Sequence, residues 1–322
     1  MIEDPSDRCE LTIIYQKVKT RTIFPLVMGL KIAALTNHFS GLEALKGIDS
    51  SRVPINLIIT NKSEDENEIS GMADFSELGI EIFELSSYNM KSDIHSLISL
   101  ELDLLFVLGY QRLVPEEVIN SVRLGSFGFH GSSEFLPKGR GRSPINWELI
   151  SGKDRFISHM FRLEPGADSG EIVDHMIFEV NHFDDCRTVY YKAALSMRNM
   201  LERTVPLLIE GSVNGITQTG EATYFPKRSP EDGEIDWSMN TKQVHDWIRA
   251  LTKPYPGAFT EGLKIWKGQP FSDKFTSKSE IPGQVIEKFL FGEILIKTGD
   301  GAYLVSEYEG ETPEVGTIFR RH

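Results

Sequence analysis

Cysteine is nearly absent from this sequence, which contains only Cys9 and Cys186 among 322 residues. Two cysteines are too few for a disulfide framework or for a zinc site built from thiolates. Long apolar runs are also missing, because no stretch reaches the roughly 18 residues that a membrane-spanning helix needs. The N-terminal stretch is too acidic at its front and too interrupted by polar residues for a signal peptide. We therefore expect a cytoplasmic protein with no membrane partner.

Positive charge is in deficit, since 34 Lys and Arg residues face 47 Asp and Glu residues, a formal net charge of -13. Proteins that bind nucleic acid usually present a basic face, because phosphate contacts supply much of their affinity. The acidic balance therefore argues against a nucleic-acid partner and favours a small-molecule substrate.

Two phosphate-binding signatures are missing as well. The stretch "LPKGRGRSP" does not fit the Gly-x4-Gly-Lys-Ser/Thr loop, and no Gly-x-Gly-x-x-Gly follows the first predicted strand. His130, His159 and Asp168 lack the tight spacing that metal ligands show. The sequence thus predicts neither a dinucleotide fingerprint nor a metal site.

The sequence does contain a regular alternation of short apolar runs with helical segments. Such alternation is typical of a Rossmann-like, doubly wound α/β fold with a mainly parallel sheet. Two further strands are predicted at 155–165 and 170–180, followed by a long helix from about Thr188 to Glu210 with one apolar stripe. The five runs predicted as the first strands are "LKIAALT", "VPINLIIT", "GIEIFEL", "LDLLFVLGY" and "GSFGFH".

The pattern changes near residue 220. The stretch "EATYFPKRSPEDGEIDW" is rich in proline, glycine and charge, which is typical of a linker. Beyond it, "TKQVHDWIRAL" predicts a helix, and short alternating strands follow, with "TGDG" as a hairpin turn. We expect an N-terminal extension over 1–29, an α/β domain over 30–220 and a smaller β-rich domain over 221–322.

The candidate chemistry lies where strands end, because open α/β sheets bind ligands outside the carboxyl ends of their strands. Tyr110 and His130 follow two such strands, and Asp168 lies in the turn "PGADSG" between two more. A His–Asp pair can transfer a proton and hold the imidazole in one orientation. The alternatives are a hydrogen-bonded histidine without a catalytic role and an aspartate that only forms its turn.

Taken together, these stretches resemble the N10-formyltetrahydrofolate-dependent formyltransferase family, in particular its two-domain members. "FGFHGSSEFLPKGRGRSPINW" is similar to the family's histidine strand and its Leu-Leu-Pro-x-x-Arg-Gly loop. "GADSGEI" is similar to its Asp-Thr-Gly turn, and "YFPKRSPEDGEIDW" with "IRALTKPYPGAF" to its linker and the start of its second domain. The resemblance extends from about residue 30 to 305.

The resemblance implies roles for individual residues. His130 and Asp168 would take the catalytic histidine and aspartate roles of the family. Arg140 and Gly141 would belong to the loop on the substrate side. The folate pterin pocket would be lined, largely through backbone groups, by Gly109, Tyr110, Gln111, Arg112 and Leu113.

Two departures from the family pattern stand out. The family asparagine two residues before the histidine falls on Gly128, and the loop from the histidine to Pro137 is two residues longer than usual. Losing one oxyanion donor costs roughly 10² to 10³ in rate. The oxyanion could then be stabilised by His130 alone or by a substitute donor. The candidate substitutes are Ser132, Ser133 and His159, of which we favour His159 because a strand would hold it rigidly.

The resemblance implies transfer of a formyl group from N10-formyltetrahydrofolate, the co-substrate, to a primary amine. A nucleotide-linked aminosugar is the expected acceptor, and a methionyl-tRNA is the closest alternative, which the acidic balance of the chain disfavours. Two further alternatives stay open: a formyltetrahydrofolate hydrolase, and a folate-binding pseudoenzyme that has lost turnover. The sequence leaves the oligomeric state open, a homodimer included.

Overall fold

The computed structural model describes residues 29–61 and 71–321. The N-terminal extension expected over 1–29 therefore lies outside the described residues, apart from Gly29.

The larger sheet has seven strands, of which the first five along the chain run parallel, as the sequence pattern predicts. They are β1 (Ile32–Leu35), β2 (Leu57–Asn61), β3 (Glu81–Leu85), β4 (Leu104–Val107) and β5 (Gly125–Ser132). The last two strands of this sheet, β7 (Arg155–Arg162) and β8 (Ile172–Glu179), continue it antiparallel. The spatial order is β3-β2-β1-β4-β5-β7-β8. The order reverses direction at β1, so the carboxyl ends of β1, β4 and β5 form a crevice.

Helices cover this sheet: α1 (Phe39–Leu45), α2 (Ile94–Ser99), α3 (Glu116–Ser121), α4 (Pro144–Ile150) and α5 (Cys186–Ile209). The α5 helix begins with a capping box, in which the Asp185 carboxylate accepts from the Thr188 amide. Its predicted apolar stripe is buried at Val189, Ala193, Met197 and Leu201.

The C-terminal part contains one helix, α6 (Thr241–Leu251), and an antiparallel sheet of five strands. These strands are β10 (Ala258–Thr260), β11 (Leu263–Phe271), β12 (Val285–Lys288), β13 (Ile294–Lys297) and β14 (Ala302–Gly310), in the order β10-β11-β14-β13-β12. The predicted turn "TGDG" joins β13 to β14, where the Thr298 amide donates to the Gly301 carbonyl at 3.0 Å. One apolar cluster runs through α4, α5, α6 and this sheet, so the two parts share a core.

Two short strands connect the parts and were not predicted. β6 (Arg140–Gly141) pairs in parallel with β9 (Tyr224–Phe225). This pairing ties the loop after His130 to the chain that leads into the C-terminal part, so the loop is held from both sides.

Across the described stretches, 29–61 and 71–321, no helix combines the length and apolar character that crossing a bilayer requires.

Candidate active site

A cleft of about 860 Å³ opens at the carboxyl ends of β1, β4 and β5 and extends to the chain around α6. The sheet contributes Gly109, Tyr110 and His130 to its walls, and the C-terminal part contributes Lys227 and Tyr255. A volume of this size accommodates a ligand with several rings. The cleft is therefore the place where the predicted site residues can meet a substrate.

His130 and Asp168 meet inside this cleft. His130 Nδ1 lies 3.4 Å from Asp168 Oδ2, and the His130 side chain is only 8% exposed. Asp168 has a left-handed backbone with φ of 54°, which turns the chain and directs the carboxylate at the imidazole. The same carboxylate oxygen accepts from the Gly141 amide at 3.3 Å. Gly141 thus helps to fix the pair.

The other ring nitrogen of His130 is also engaged. His130 Nε2 lies 2.7 Å from the Gly139 carbonyl oxygen, so Nε2 carries a hydrogen and donates it. The Gly139 amide in turn donates to Thr223 Oγ1 at 2.8 Å. With an acceptor at each nitrogen, the imidazole of His130 is held in one orientation.

The turn that carries Asp168 is held by Gln218, which sequence reasoning missed. Gln218 Nε2 lies 2.8 Å from the Asp168 carbonyl oxygen and 2.7 Å from that of Gly170. Its Oε1 accepts from Arg140 Nη2 at 2.6 Å. A single glutamine ahead of a linker carries no sequence signal, because its role depends on the fold that brings it to the turn.

Arg140 and Gly141, which the resemblance places on the substrate loop, have different positions. Gly141 lines the cleft, whereas Arg140 is not among the lining residues and extends to Gln218 and the Tyr224 hydroxyl. The Arg140 side chain therefore supports the Asp168 turn from outside the cleft.

The predicted pterin-binding segment, residues 109–113, lines the cleft along its whole length. Tyr110 is buried and its hydroxyl donates to the Tyr88 carbonyl at 2.9 Å, which anchors the segment. Within residues 29–61 and 71–321, the backbone amides of Tyr110, Gln111 and Leu113 have no hydrogen-bond partner. Free amides at a cleft wall suit the ring nitrogens and oxygen of a pterin, so the segment fits this group.

The position of the family asparagine is filled by apolar side chains. A Cβ atom at Gly128 would lie 2.8 Å from Leu163 Cδ2 and 3.0 Å from Phe161 Cζ. An amide therefore does not fit there unless these two side chains move. Gly128 itself lines the cleft, so this wall presents hydrocarbon where the family pattern has a hydrogen-bond donor.

The two serines proposed as substitute donors are not among the residues that line the cleft. Ser132 Oγ lies 2.6 Å from the Glu134 carbonyl oxygen, and the Ser133 amide donates to Glu148 Oε1 at 2.8 Å. Both serines line a second, smaller cavity of about 220 Å³. Their contacts shape the loop that carries Gly139.

His159 is opposite His130 in the β5–β7 ladder and is fully buried. Its ring packs edge-on against Phe135, and neither ring nitrogen has a hydrogen-bond partner among the described residues. Burial, with smaller contributions from His130 and His175, lowers the pKa of His159 to about 3. His159 is not a lining residue of the cleft, and its donor role stays a prediction.

The cleft is basic although the chain is acidic. Among the described residues, its lining holds Arg112, Arg142, Lys227 and Arg228, with Asp168 as the one Asp or Glu residue. Arg228 lies between two indole rings, 4.8 Å from the ring centre of Trp147 and 4.9 Å from that of Trp247. Such stacking fixes a guanidinium in place. The local charge therefore attracts an anionic ligand.

Among the residues that the structure describes, no three His, Cys, Asp or Glu side chains come together as a set that could hold a metal ion.

The fold and the cleft define a two-part α/β protein with a basic ligand cleft, and comparison with known families is more specific. The family model described as "Formyl transferase" matches residues 33–205, more than half of the chain. The model described as "Formyl transferase, C-terminal domain" matches residues 227–316. The chain belongs to the formyl transferase family, whose members are transferases.

Relatives extend this comparison. The bifunctional polymyxin resistance protein ArnA of Wigglesworthia glossinidia brevipalpis is 34% identical over 195 residues, which are 59% of this chain and 30% of ArnA. The chain thus spans less than a third of that relative's length.

Two solved structures share the fold at low identity. A variant of HypX from Aquifex aeolicus is 17% identical with a TM-score of 0.62, over 87% of this chain and 44% of HypX. The N-formyltransferase of Helicobacter canadensis, solved with folinic acid and dTDP-3-aminofucose, is 19% identical with a TM-score of 0.59. That match covers 87% of this chain and 100% of the Helicobacter chain.

Proposed function

We propose that the protein transfers a formyl group from N10-formyltetrahydrofolate to the primary amine of a nucleotide-linked aminosugar. The observation that carries the proposal is the His130–Asp168 contact of 3.4 Å inside the cleft. Formyl transfer needs a positive or hydrogen-bonding group for the oxyanion and a base for the amine proton. A histidine beside a carboxylate supplies both without a metal ion.

In the proposed reaction, each group of residues in the cleft has its own role. Residues 109–113 bind the pterin through their free backbone amides. The acceptor amine attacks the formyl carbon, a new C–N bond forms, and the carbonyl oxygen becomes negative. His130 stabilises this oxygen through Nε2, which exchanges the Gly139 carbonyl for the substrate. Asp168 holds Nδ1 and accepts the amine proton. The carbonyl then re-forms, the bond from carbon to the folate nitrogen breaks, and that nitrogen takes the proton from Asp168.

An anionic acceptor fits the remainder of the cleft. Arg142, Lys227 and Arg228 line it together with the catalytic pair, whereas the whole chain carries a net charge of -13. A diphosphate would find its countercharges here. The Helicobacter relative, solved with a dTDP-linked aminosugar, supports the same class of acceptor.

The test is turnover by the purified chain with N10-formyltetrahydrofolate and a panel of nucleotide-linked aminosugars. We expect formylated product with at least one acceptor and little folate consumption without an amine. Folate turnover without an amine would establish a hydrolase instead. Folate binding with no product on any amine would establish a pseudoenzyme, the alternative that Gly128 supports.

A pair of histidine variants controls this test. His130→Ala should lower kcat a hundredfold or more, on the order of 3 kcal/mol, because it removes the group that meets the oxyanion. His175→Ala is the matched control, since His175 lies on a neighbouring strand and does not line the cleft. Equal turnover by both variants would remove His130 from the mechanism.

A further inference from the structure

Two tyrosines from distant parts of the chain meet on the wall of the cleft. Tyr190 comes from α5, and Tyr255 follows α6 in the C-terminal part. Their hydroxyl oxygens are in close hydrogen-bond contact, and their ring centres lie 6.2 Å apart. Both residues line the cleft that holds His130.

The hydrogens of this pair do not all find partners. Burial raises the pKa of Tyr190 to about 12 and that of Tyr255 well above its usual value. Both hydroxyls therefore keep their hydrogens at neutral pH. Only one of the two hydrogens can lie between the two oxygens, and the described residues offer the second hydrogen no acceptor. Because both tyrosines are only partly buried and line the cleft, this second hydrogen is available to a ligand that supplies an acceptor oxygen.

The surroundings of the pair are neutral and aromatic. The His38 ring lies 5.0 Å from the Tyr190 ring and 4.4 Å from the Phe39 ring. Burial lowers the pKa of His38 to about 4, so the imidazole is neutral. His38 Nδ1 accepts from the Ser40 amide at 3.2 Å, which leaves its hydrogen on Nε2.

A sugar ring suits this wall better than a phosphate does. Aromatic faces pack against the C–H faces of a sugar, and a hydroxyl oxygen accepts the spare phenolic hydrogen. The cationic residues Arg142, Lys227 and Arg228 are available to phosphates in the same cleft. The cleft thus offers separate surfaces for the two halves of a nucleotide-linked sugar.

We infer that the Tyr190–Tyr255 hydroxyl pair recognises one ring hydroxyl of the acceptor's sugar and so selects among aminosugars. This inference rests on the proposed function, because it assigns the sugar of the same acceptor. The pair touches the part of the acceptor that does not react, so its effect falls on KM and leaves kcat nearly unchanged.

The experiment compares a nucleotide-linked aminosugar that the unaltered protein formylates with analogues that each lack one ring hydroxyl. For the unaltered protein, we expect one analogue to show a KM about tenfold higher than the parent sugar. In the double variant Tyr190→Phe/Tyr255→Phe the parent sugar should lose this advantage, so that parent and analogue have equal KM values. The single variants Tyr190→Phe and Tyr255→Phe show which hydroxyl faces the sugar. The variant that removes this hydroxyl should lose the KM difference between parent and analogue, whereas the other variant keeps a hydroxyl that can donate its hydrogen to the sugar.

Tyr191→Phe is the matched control, because Tyr191 is the next residue on α5, is exposed and does not line the cleft. It should keep the discrimination of the unaltered protein. A purely structural role for the pair would raise both KM values equally in the double variant, and that result would overturn the inference while the proposed function stands. An unaltered protein that formylates no aminosugar would overturn both.

Discussion

At the scale of single residues, Gly128 decides how the oxyanion can be stabilised. The space beside it is occupied by Phe161 and Leu163, so no side-chain donor reaches the cleft from this position. In the proposed reaction, His130 and the backbone then have to stabilise the oxygen. The site is organised around His130, which has an acceptor at each ring nitrogen. How strongly His130 can stabilise the oxyanion depends on how well those acceptors hold the imidazole in place.

Restoring the family asparagine should therefore harm this protein. Gly128→Asn forces a Cβ atom to within 3 Å of Leu163, and such overpacking costs about 1–3 kcal/mol. We expect the free energy of unfolding in urea to fall by that amount, with no gain in kcat. Leu163→Ala combined with Gly128→Asn should recover part of the loss relative to the two single variants, as a double-mutant cycle measures. A stable single variant with a higher kcat would contradict this prediction.

The buried histidines should make stability depend on pH. The pKa of His159 is about 3 in the folded protein and near 6.5 when the chain is unfolded. Between these values the unfolded state binds more protons, so the free energy of unfolding falls as pH falls from about 6.5 towards 3. His159→Leu should reduce this slope by up to about 1.4 kcal/mol per pH unit. Urea unfolding at several pH values measures it, with exposed His95→Leu as the control.

The same His159→Leu variant separates two expectations about catalysis. The sequence favours His159 as an oxyanion donor, which predicts a large loss of kcat. Its full burial and its contact with Phe135 favour a packing role. On the geometry we expect kcat to stay within about threefold of the unaltered protein, roughly 0.7 kcal/mol. A loss of a hundredfold in a folded variant would establish the donor role.

At the scale of elements, the order of strands and helices was predictable because buried strands and amphipathic helices leave periodic patterns. The pairing of β6 with β9 left none, since each strand has only two residues and period-two alternation needs a longer run. For the same reason Arg140 could be placed on the substrate loop but its contact with Gln218 could not be foreseen. The His130–Asp168 contact was expected from the resemblance, whereas the bond to Gly139 depends on how the loop closes.

The turn held by Gln218 gives a test at this scale. Gln218→Met keeps the side-chain length but removes the donor to the Asp168 and Gly170 carbonyls. The Asp168 carboxylate should then lose its fixed direction. We expect kcat to fall about tenfold, on the order of 1.4 kcal/mol, while the KM for the folate changes less than twofold. Gln269→Met is the control, because Gln269 is an exposed residue of β11. An unchanged kcat in Gln218→Met would show that the turn holds without this side chain.

At the scale of the whole molecule, the net charge of the chain and the charge of the cleft lining have opposite signs. The chain as a whole repels polyanions with its net charge of -13, whereas the part of the cleft lining that the structure describes has four cationic residues and one carboxylate. An enclosed cleft concentrates its own field and admits a small anion. A long nucleic acid must instead approach a chain of net charge -13, and we expect it to gain little from phosphate contacts.

The two candidate acceptors should therefore respond differently to salt. We expect no micromolar binding of initiator tRNA, aminoacylated or not, near physiological ionic strength, because a protein that neutralises few phosphates gains little from releasing counterions. The KM for a nucleotide-linked aminosugar should rise with ionic strength, since screening weakens its attraction to Arg142, Lys227 and Arg228. Lys227→Met should raise this KM and flatten its salt dependence, while Lys278→Met on the exposed surface should do neither. Fluorescence anisotropy with labelled tRNA and steady-state kinetics from about 50 to 500 mM salt measure both effects. Micromolar tRNA binding with a steep salt slope would contradict the prediction and place aminoacyl-tRNA ahead of the sugar nucleotide as the acceptor.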